Sequence, residues 1–186
     1  MRAILLLTLA ACEFHATATG TADSGVVTGD TRSPDGSSFT PCAGYVSLGP
    51  TLEPSSYRVV TTPARFKIAE QSCEATLGHL VILDDDVEST AVAAMSPNGW
   101  VGFSDLKNDN TWIDVAGRPS SYMDAQWAAT EPSSGGNDNC ASLIGVASLN
   151  AANCDSKDGA ESDMRGYVCE CGDGVQDNPN NFQRPE

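Results

Sequence analysis

The 186-residue chain is short of cations: 10 Lys and Arg stand against 25 Asp and Glu, for a formal net charge of −15. A surface of that sign repels phosphate backbones and anionic headgroups, which excludes nucleic acid as a partner. Histidine is nearly absent. His15 lies in the N-terminal stretch and His79 stands alone beyond it. No Ser-His-Asp order, His-Glu-x-x-His pair or phosphate loop can be assembled, so the sequence carries no catalytic machinery. His79 reads as a packed or surface side chain between a helix end and a strand, not a general base. No C-x-x-C occurs, which argues against a cysteine metal cluster. Apolar runs are short as well, none near the roughly 20 residues that a membrane-spanning helix needs.

What is present begins with one positive charge, a brief apolar run and small residues, Met1-Arg2-Ala3-Ile4-Leu5-Leu6-Leu7-Thr8-Leu9-Ala10-Ala11-Cys12. That order is an export signal. Its ending resembles the lipobox of bacterial lipoproteins, which implies removal of residues 1–11, a lipid on Cys12, and a protein anchored to a bacterial membrane at the cell surface or in the periplasm. Residues 12–41 are rich in Ala, Thr, Gly, Ser and Asp and lack core-forming periodicity, so they are expected to be a flexible tether. A coil of about 28 such residues has an end-to-end distance of roughly 30 Å.

Order is expected from Cys42. Thr62 as N-cap and Pro63 in the first turn open a helix whose Phe66, Ala69, Cys73 and Leu77 share one face, with Gly78 ending it. Leu80-Val81-Ile82-Leu83 reads as a strand. Asp85 and Glu88 form a capping box for a second helix, which Pro97-Asn98-Gly99 stops. Trp100-Val101-Gly102-Phe103 reads as a buried strand. From Ser104 to about Asn139 the pattern dissolves into Asn, Asp, Gly, Ser and Pro; a run of that length inside a domain is usually functional. Strands follow near 141–146 and 167–170, and the segment 172–186 reads as a loose polar tail.

The landmarks resemble the C-type lectin-like fold. They are Phe66, Ala69 and Cys73; Gly78, Leu80 and Val81; Trp100-Val101-Gly102-Phe103; Trp112, Asp114 and Gly117; Trp127; Glu131-Pro132-Ser133; Cys140; Asn150 and Cys154; and Tyr167-Val168-Cys169-Glu170. The resemblance spans residues 42–171. It implies an α+β fold of two helices and small antiparallel sheets, with a long ordered loop region, stapled by disulfides. It implies the pairs Cys73–Cys169 and Cys140–Cys154, leaving Cys42 with Cys171; the seventh cysteine is Cys12. In the chain-entropy account the short 140–154 loop is worth about 3 kcal/mol and the 73–169 loop about 4.7. The tryptophans match core positions, so Trp100, Trp112 and Trp127 are expected to be buried. Tyr122 remains open as a ligand-facing aromatic.

Sugar-binding members of the family hold calcium on the long loop, and two sugar hydroxyls complete its shell. Carried over residue by residue, the ligand set here is Glu131, Ser133, Asp138 and Asn150. Ser133 stands where an Asn is usual, Leu149 replaces a Trp, and Ala151 occupies the place of a second acid. Calcium takes about six to eight oxygens and its affinity follows ligand charge, so this shell is expected to bind calcium weakly, at roughly 0.1–1 mM or worse. A second family position maps to Asp105 and Asp109, with neutral Ser134 and Asn139 as partners; turn closure by Asp is the other reading of those two acids. Two functions follow. One is a calcium-independent surface for a protein or a polysaccharide, which the incomplete shell favours. The other is a calcium-dependent lectin holding a glycan through Glu131, Asp138 and Asn150.

Overall fold

The computed structural model describes residues 42–133, 138–146, 148–154, 163–172, 174–176 and 178–182. The expected leader, Cys12, the tether to residue 41 and Ser134 lie outside the described residues. The elements are β1 (Ser56–Ala64), α1 (Phe66–Glu74), β2 (His79–Leu80), α2 (Asp86–Met95), β3 (Trp100–Ser104), β4 (Ile113–Asp114), α3 (Ser121–Ala125), β5 (Cys140–Leu143), β6 (Leu149–Ala152) and β7 (Arg165–Cys171). Among the described residues no helix is long and apolar enough to cross a membrane.

The strands form one sheet in the order β1-β7-β3-β5-β6, with β2 on β7 and β4 on β3. β7 runs antiparallel to β1 and parallel to β3. The sheet is therefore mixed, where small antiparallel sheets were expected. Tyr167 through Cys171 are buried without alternation, the pattern of a strand covered on both faces. Phe66 meets Trp100 edge to face at 5.7 Å, and the Trp100 indole donates to the Ala64 carbonyl at 2.8 Å. Trp100 is buried, and Trp112 and Trp127 pack half-buried against the core. The disulfides Cys42–Cys171, Cys73–Cys169 and Cys140–Cys154 are those the resemblance implies.

Several local expectations change. The first helix starts at Phe66 with Arg65 as its cap, not at Thr62. Thr62-Pro63-Ala64 instead ends β1, an edge strand whose register slips between Val60 and Ala64. Proline has no N–H to donate and is tolerated at such an irregular edge. At the helix's other end, Leu77 takes the positive φ of 65° and is 86% exposed, so it leaves the apolar face. Gly78 serves close approach, because a Cβ there would meet the Glu170 carbonyl oxygen at 2.5 Å.

The expected strand 80–83 is laddered only at His79–Leu80. Glu70, Glu170 and Glu88 accept from the alternate N–H groups of Leu80, Ile82 and Asp84 at 2.8, 3.1 and 2.8 Å, while Val81 between them bonds Val168 of β7 and Gly102 of β3 at 3.0 and 2.8 Å. Asp85 caps α2 by accepting from Glu88 N at 2.8 Å, whereas the Glu88 carboxylate reaches Asp84 N, one residue before the cap. The irregular stretch after Ser104 contains β4 and α3. Part of the tail is docked: Asn181 is 2% exposed, and Asn178 N donates to Val115 O at 3.0 Å.

Candidate functional site

Edge strand β6 is where the long loop meets the sheet. Ala128 N donates to Leu149 O at 2.9 Å and Leu149 N to Gln126 O at 2.8 Å, so the loop covers the strand's open side. The chain then turns through Thr130, at φ 76°, into a cis Glu131–Pro132 bond. The Glu131 carboxylate points back at both partners, with Oε2 accepting from Ser133 N at 2.7 Å and from Ala151 N at 3.1 Å. It satisfies an edge N–H that would otherwise lack a strand partner. Beside it, the Asn150 amide donates to the Ala151 carbonyl at 2.6 Å.

Asp138 completes the group. Its own burial, then the charges of Asp163 and Glu131, push its carboxyl above the usual value of 3.8, and a hydrogen bond from Ser133 acts the other way. Glu131, Ser133, Asp138 and Asn150 are thus brought to one end of the sheet. Asp163 joins them without having been expected. It sits where the chain returns to β7, its N–H donating to Asn153 O at 2.7 Å and its carboxylate paired with Arg165 at 2.8 Å. Sequence spacing had no means of selecting it, since Asp155, Asp158 and Glu161 lie in the same polar stretch and no motif position falls on any of them.

The second set is arranged differently. Asp105 is buried, and its Oδ2 accepts from Asn110 N at 2.8 Å. It closes the turn over Asn110, which carries a φ of 64°. Asp105 N also donates to the carbonyl of buried Asn139 at 3.0 Å, while Asp109 is exposed at the tip. Asp114 likewise builds a turn, bonding Arg118 N at 2.8 Å and pairing with the Arg118 guanidinium at 2.8 Å. His79 is buried with its Nδ1 2.9 Å from Leu80 O. Tyr122 donates to Asp86 at 2.9 Å, and burial followed by that bond pushes its phenol up to about 12. It lines an open cleft of about 470 Å³ with Asp84, Asp114, Arg118 and Val175, a different set of residues from those around Glu131.

Calcium, which the resemblance implies, needs about six to eight oxygens at one point. Glu131 Oε2 already takes two backbone N–H groups and the Asn150 amide is engaged with its neighbour's carbonyl. Among the described residues, no three His, Cys, Asp or Glu side chains group closely enough to hold a metal ion. As arranged, the described donors do not fit a calcium cage.

Comparisons with known proteins agree with this architecture. The family described as Lectin C-type domain matches residues 62–170. Mouse CD209 antigen-like protein D is 34% identical over 79 residues, covering 40% of this chain and 33% of that protein. Mouse tetranectin is 27% identical over 118 residues, covering 59% of this chain and 56% of tetranectin. The chain thus spans less than two thirds of either relative. Among solved structures, the cow C-type carbohydrate-recognition domain of CD23, determined in the presence of GlcNAc2Man3 oligosaccharide, superposes with a TM-score of 0.60 at 22% identity, covering 72% of this chain and 97% of that one. A calcium-independent type II antifreeze protein gives 0.61 at 19% identity, covering 73% and 97%. The fold is that of a disulfide-stapled ligand-binding module, and the chain belongs to the C-type lectin domain family.

Proposed function

We propose that the domain is an extracellular recognition module that binds a protein or a polysaccharide through its long loop without needing calcium. The observation that carries this reading is the use made of Glu131: its carboxylate is bonded to Ser133 N and Ala151 N, so the loop is held to β6 by hydrogen bonds where the family pattern would use an ion. The domain is a binding module and not an enzyme. The cysteine usage belongs to an oxidising compartment, and the N-terminal pattern ending in Cys12 supports lipid anchoring to a bacterial membrane, with residues 12–41 as tether. Fatty-acid labelling that survives Cys12→Ala would remove the anchor from this proposal.

A second reading has one observation in its favour. Asp163, paired with Arg165 at 2.8 Å, carries a negative charge close enough to Asp138 to raise its carboxyl, and so adds an acid to the group around Glu131. In that reading calcium recruits Glu131, Asp138 and Asn150, and a glycan completes the shell. Two substitutions separate the readings. Glu131→Gln keeps an acceptor oxygen for the backbone but removes the charge that a hard cation requires, whereas Glu131→Ala removes both. Binding on a glycan array and to candidate surface proteins, with calcium and with chelator, is expected to be the same for wild type and Glu131→Gln and reduced for Glu131→Ala. Binding lost in chelator, and lost equally in both variants, would establish the lectin reading instead.

A further inference from the structure

We infer that residues 178–182 are a strap that fixes the arm formed by residues 107–118, and through it the conformation of the recognition loop; the second half of this statement rests on the function proposed above. β7 ends at Cys171, which is bonded to Cys42, and residues 178–182 lie beside Val115, just after β4. There the tail takes up the Val115 carbonyl with two donors, Asn178 N at 3.0 Å and Asn181 Nδ2 at 3.2 Å. The other end of the Asn181 amide accepts from Lys107 Nζ at 3.1 Å. One side chain therefore bridges the two limbs of the arm, Lys107 on the outgoing limb and Val115 on the returning one.

The docking site is shaped for that amide. Gly117 sits at φ 85°, and a Cβ there would meet Asn181 Nδ2 at 2.6 Å. The tail is also bent before it docks, with Asn180 N donating to Asn178 Oδ1 at 3.1 Å and Asn181 N to Asn178 O at 2.8 Å. A tail that merely trailed from the domain would keep its amides in water; burying one is favourable only when its donors and acceptor are satisfied. The arm reaches the recognition loop through aromatic contact, since Trp112 meets Trp127 at 4.5 Å and both lie on Phe103. Trp127 is followed directly by the Ala128–Glu131 turn that closes β6.

Hydrogen–deuterium exchange on the full chain tests the strap without any ligand. In Asn181→Ala, the amides of residues 107–118 are expected to exchange about tenfold faster, as a local opening would allow, while those of α1 and β7 keep their wild-type rates. Lys107→Met removes an exposed partner of Asn181 and is expected to act on the same segment to a smaller extent; it carries the test if Asn181→Ala does not fold. Unchanged exchange across 107–118, or an increase shared equally by β7 and β3, would overturn the strap. Because no ligand enters, these outcomes are independent of whether the loop binds anything. In the same Asn181→Ala protein the amides of residues 127–131 are expected to exchange faster as well, through the contact of Trp112 with Trp127, and wild-type rates there would sever the arm from the recognition loop.

Discussion

At the scale of the residue, the feature with the largest consequence is the set of buried glutamates around β2. Glu70, Glu170 and Glu88 accept in turn from the alternate backbone N–H groups of Leu80, Ile82 and Asp84, and Glu170 also accepts from the Ser55 hydroxyl at 2.5 Å. Glu88 also accepts from the Tyr57 hydroxyl at 2.6 Å. Burial is the largest influence on it, and with the nearby charges of Asp84 and Asp85 it outweighs the bonds from Tyr57 and Asp84 N, lifting the carboxyl above 4.5. Burial and the same Glu88 contact push the Tyr57 phenol far above its ordinary value. A carboxyl raised on folding holds its proton more tightly in the folded state. Its contribution to stability is fully present below 4.5 and is lost as pH rises through the folded value. Glu88→Gln retains an acceptor for Asp84 N and a donor toward Tyr57 but cannot ionise. Thermal melts across a pH series are expected to show the wild type gaining stability as pH falls from neutral toward 4.5 and the variant gaining less. Parallel melting curves for the two proteins would show that Glu88 is not responsible.

At the scale of the element, the end of α1 shows what periodicity resolves and what it misses. Phe66, Ala69 and Cys73 were legible as a buried face because helical spacing alone selects them, and all three are buried. Leu77 continues that spacing but lies past the last turn, where the backbone has crossed to positive φ, so its side chain faces solvent. The start of the helix was misplaced for a related reason: Pro63 suits a first helical turn and an irregular strand edge equally well. β4 has two residues and α3 five, with Met123 the buried residue of α3; elements that short do not repeat their period often enough to show a pattern. Two substitutions follow from the helix end. Leu77→Gly removes a side chain from the left-handed region and is expected to stabilise the domain by about 1 kcal/mol. Gly78→Ala drives a methyl group into the Glu170 carbonyl and the Tyr45 hydroxyl and is expected to cost about 2–4 kcal/mol. Urea titration of both variants checks the pair. The opposite signs at adjacent positions are what separate this account from a general intolerance of change at the turn.

At the scale of the whole molecule, cysteine and tryptophan spacing made the fold legible, while the site was legible only where it lay on the framework. Glu131, Ser133 and Asp138 precede β5 and Asn150 lies in β6, strands whose ends the Cys140–Cys154 bond ties together, so their positions follow from the architecture. Asp163 and Asn181 come from the connection into β7 and from the tail, where spacing carries no information and only the closed structure decides what meets what. The three crosslinks should therefore contribute unequally. Cys140–Cys154 closes a separation of 14 residues between neighbouring strands that already share a ladder. Cys73–Cys169 closes a separation of 96 and joins α1 to the central strand, with both cysteines fully buried. Loop-closure entropy gives about 3 kcal/mol for a loop near the first length and about 4.7 for one near the second. Typical domains have only about 5–15 kcal/mol in total. The paired substitution Cys140→Ala with Cys154→Ala is expected to leave a folded domain with a lower urea midpoint and increased exchange confined to the 131–154 region. Cys73→Ala with Cys169→Ala is expected to leave the domain largely unfolded at 37 °C, since the lost constraint is compounded by space left in the core. Circular dichroism and one-dimensional proton spectra of the two double variants decide it. If the second folds as well as the first, helix α1 is held to the sheet by Phe66 against Trp100 and by the Glu70 bond to Leu80, and the long crosslink is dispensable.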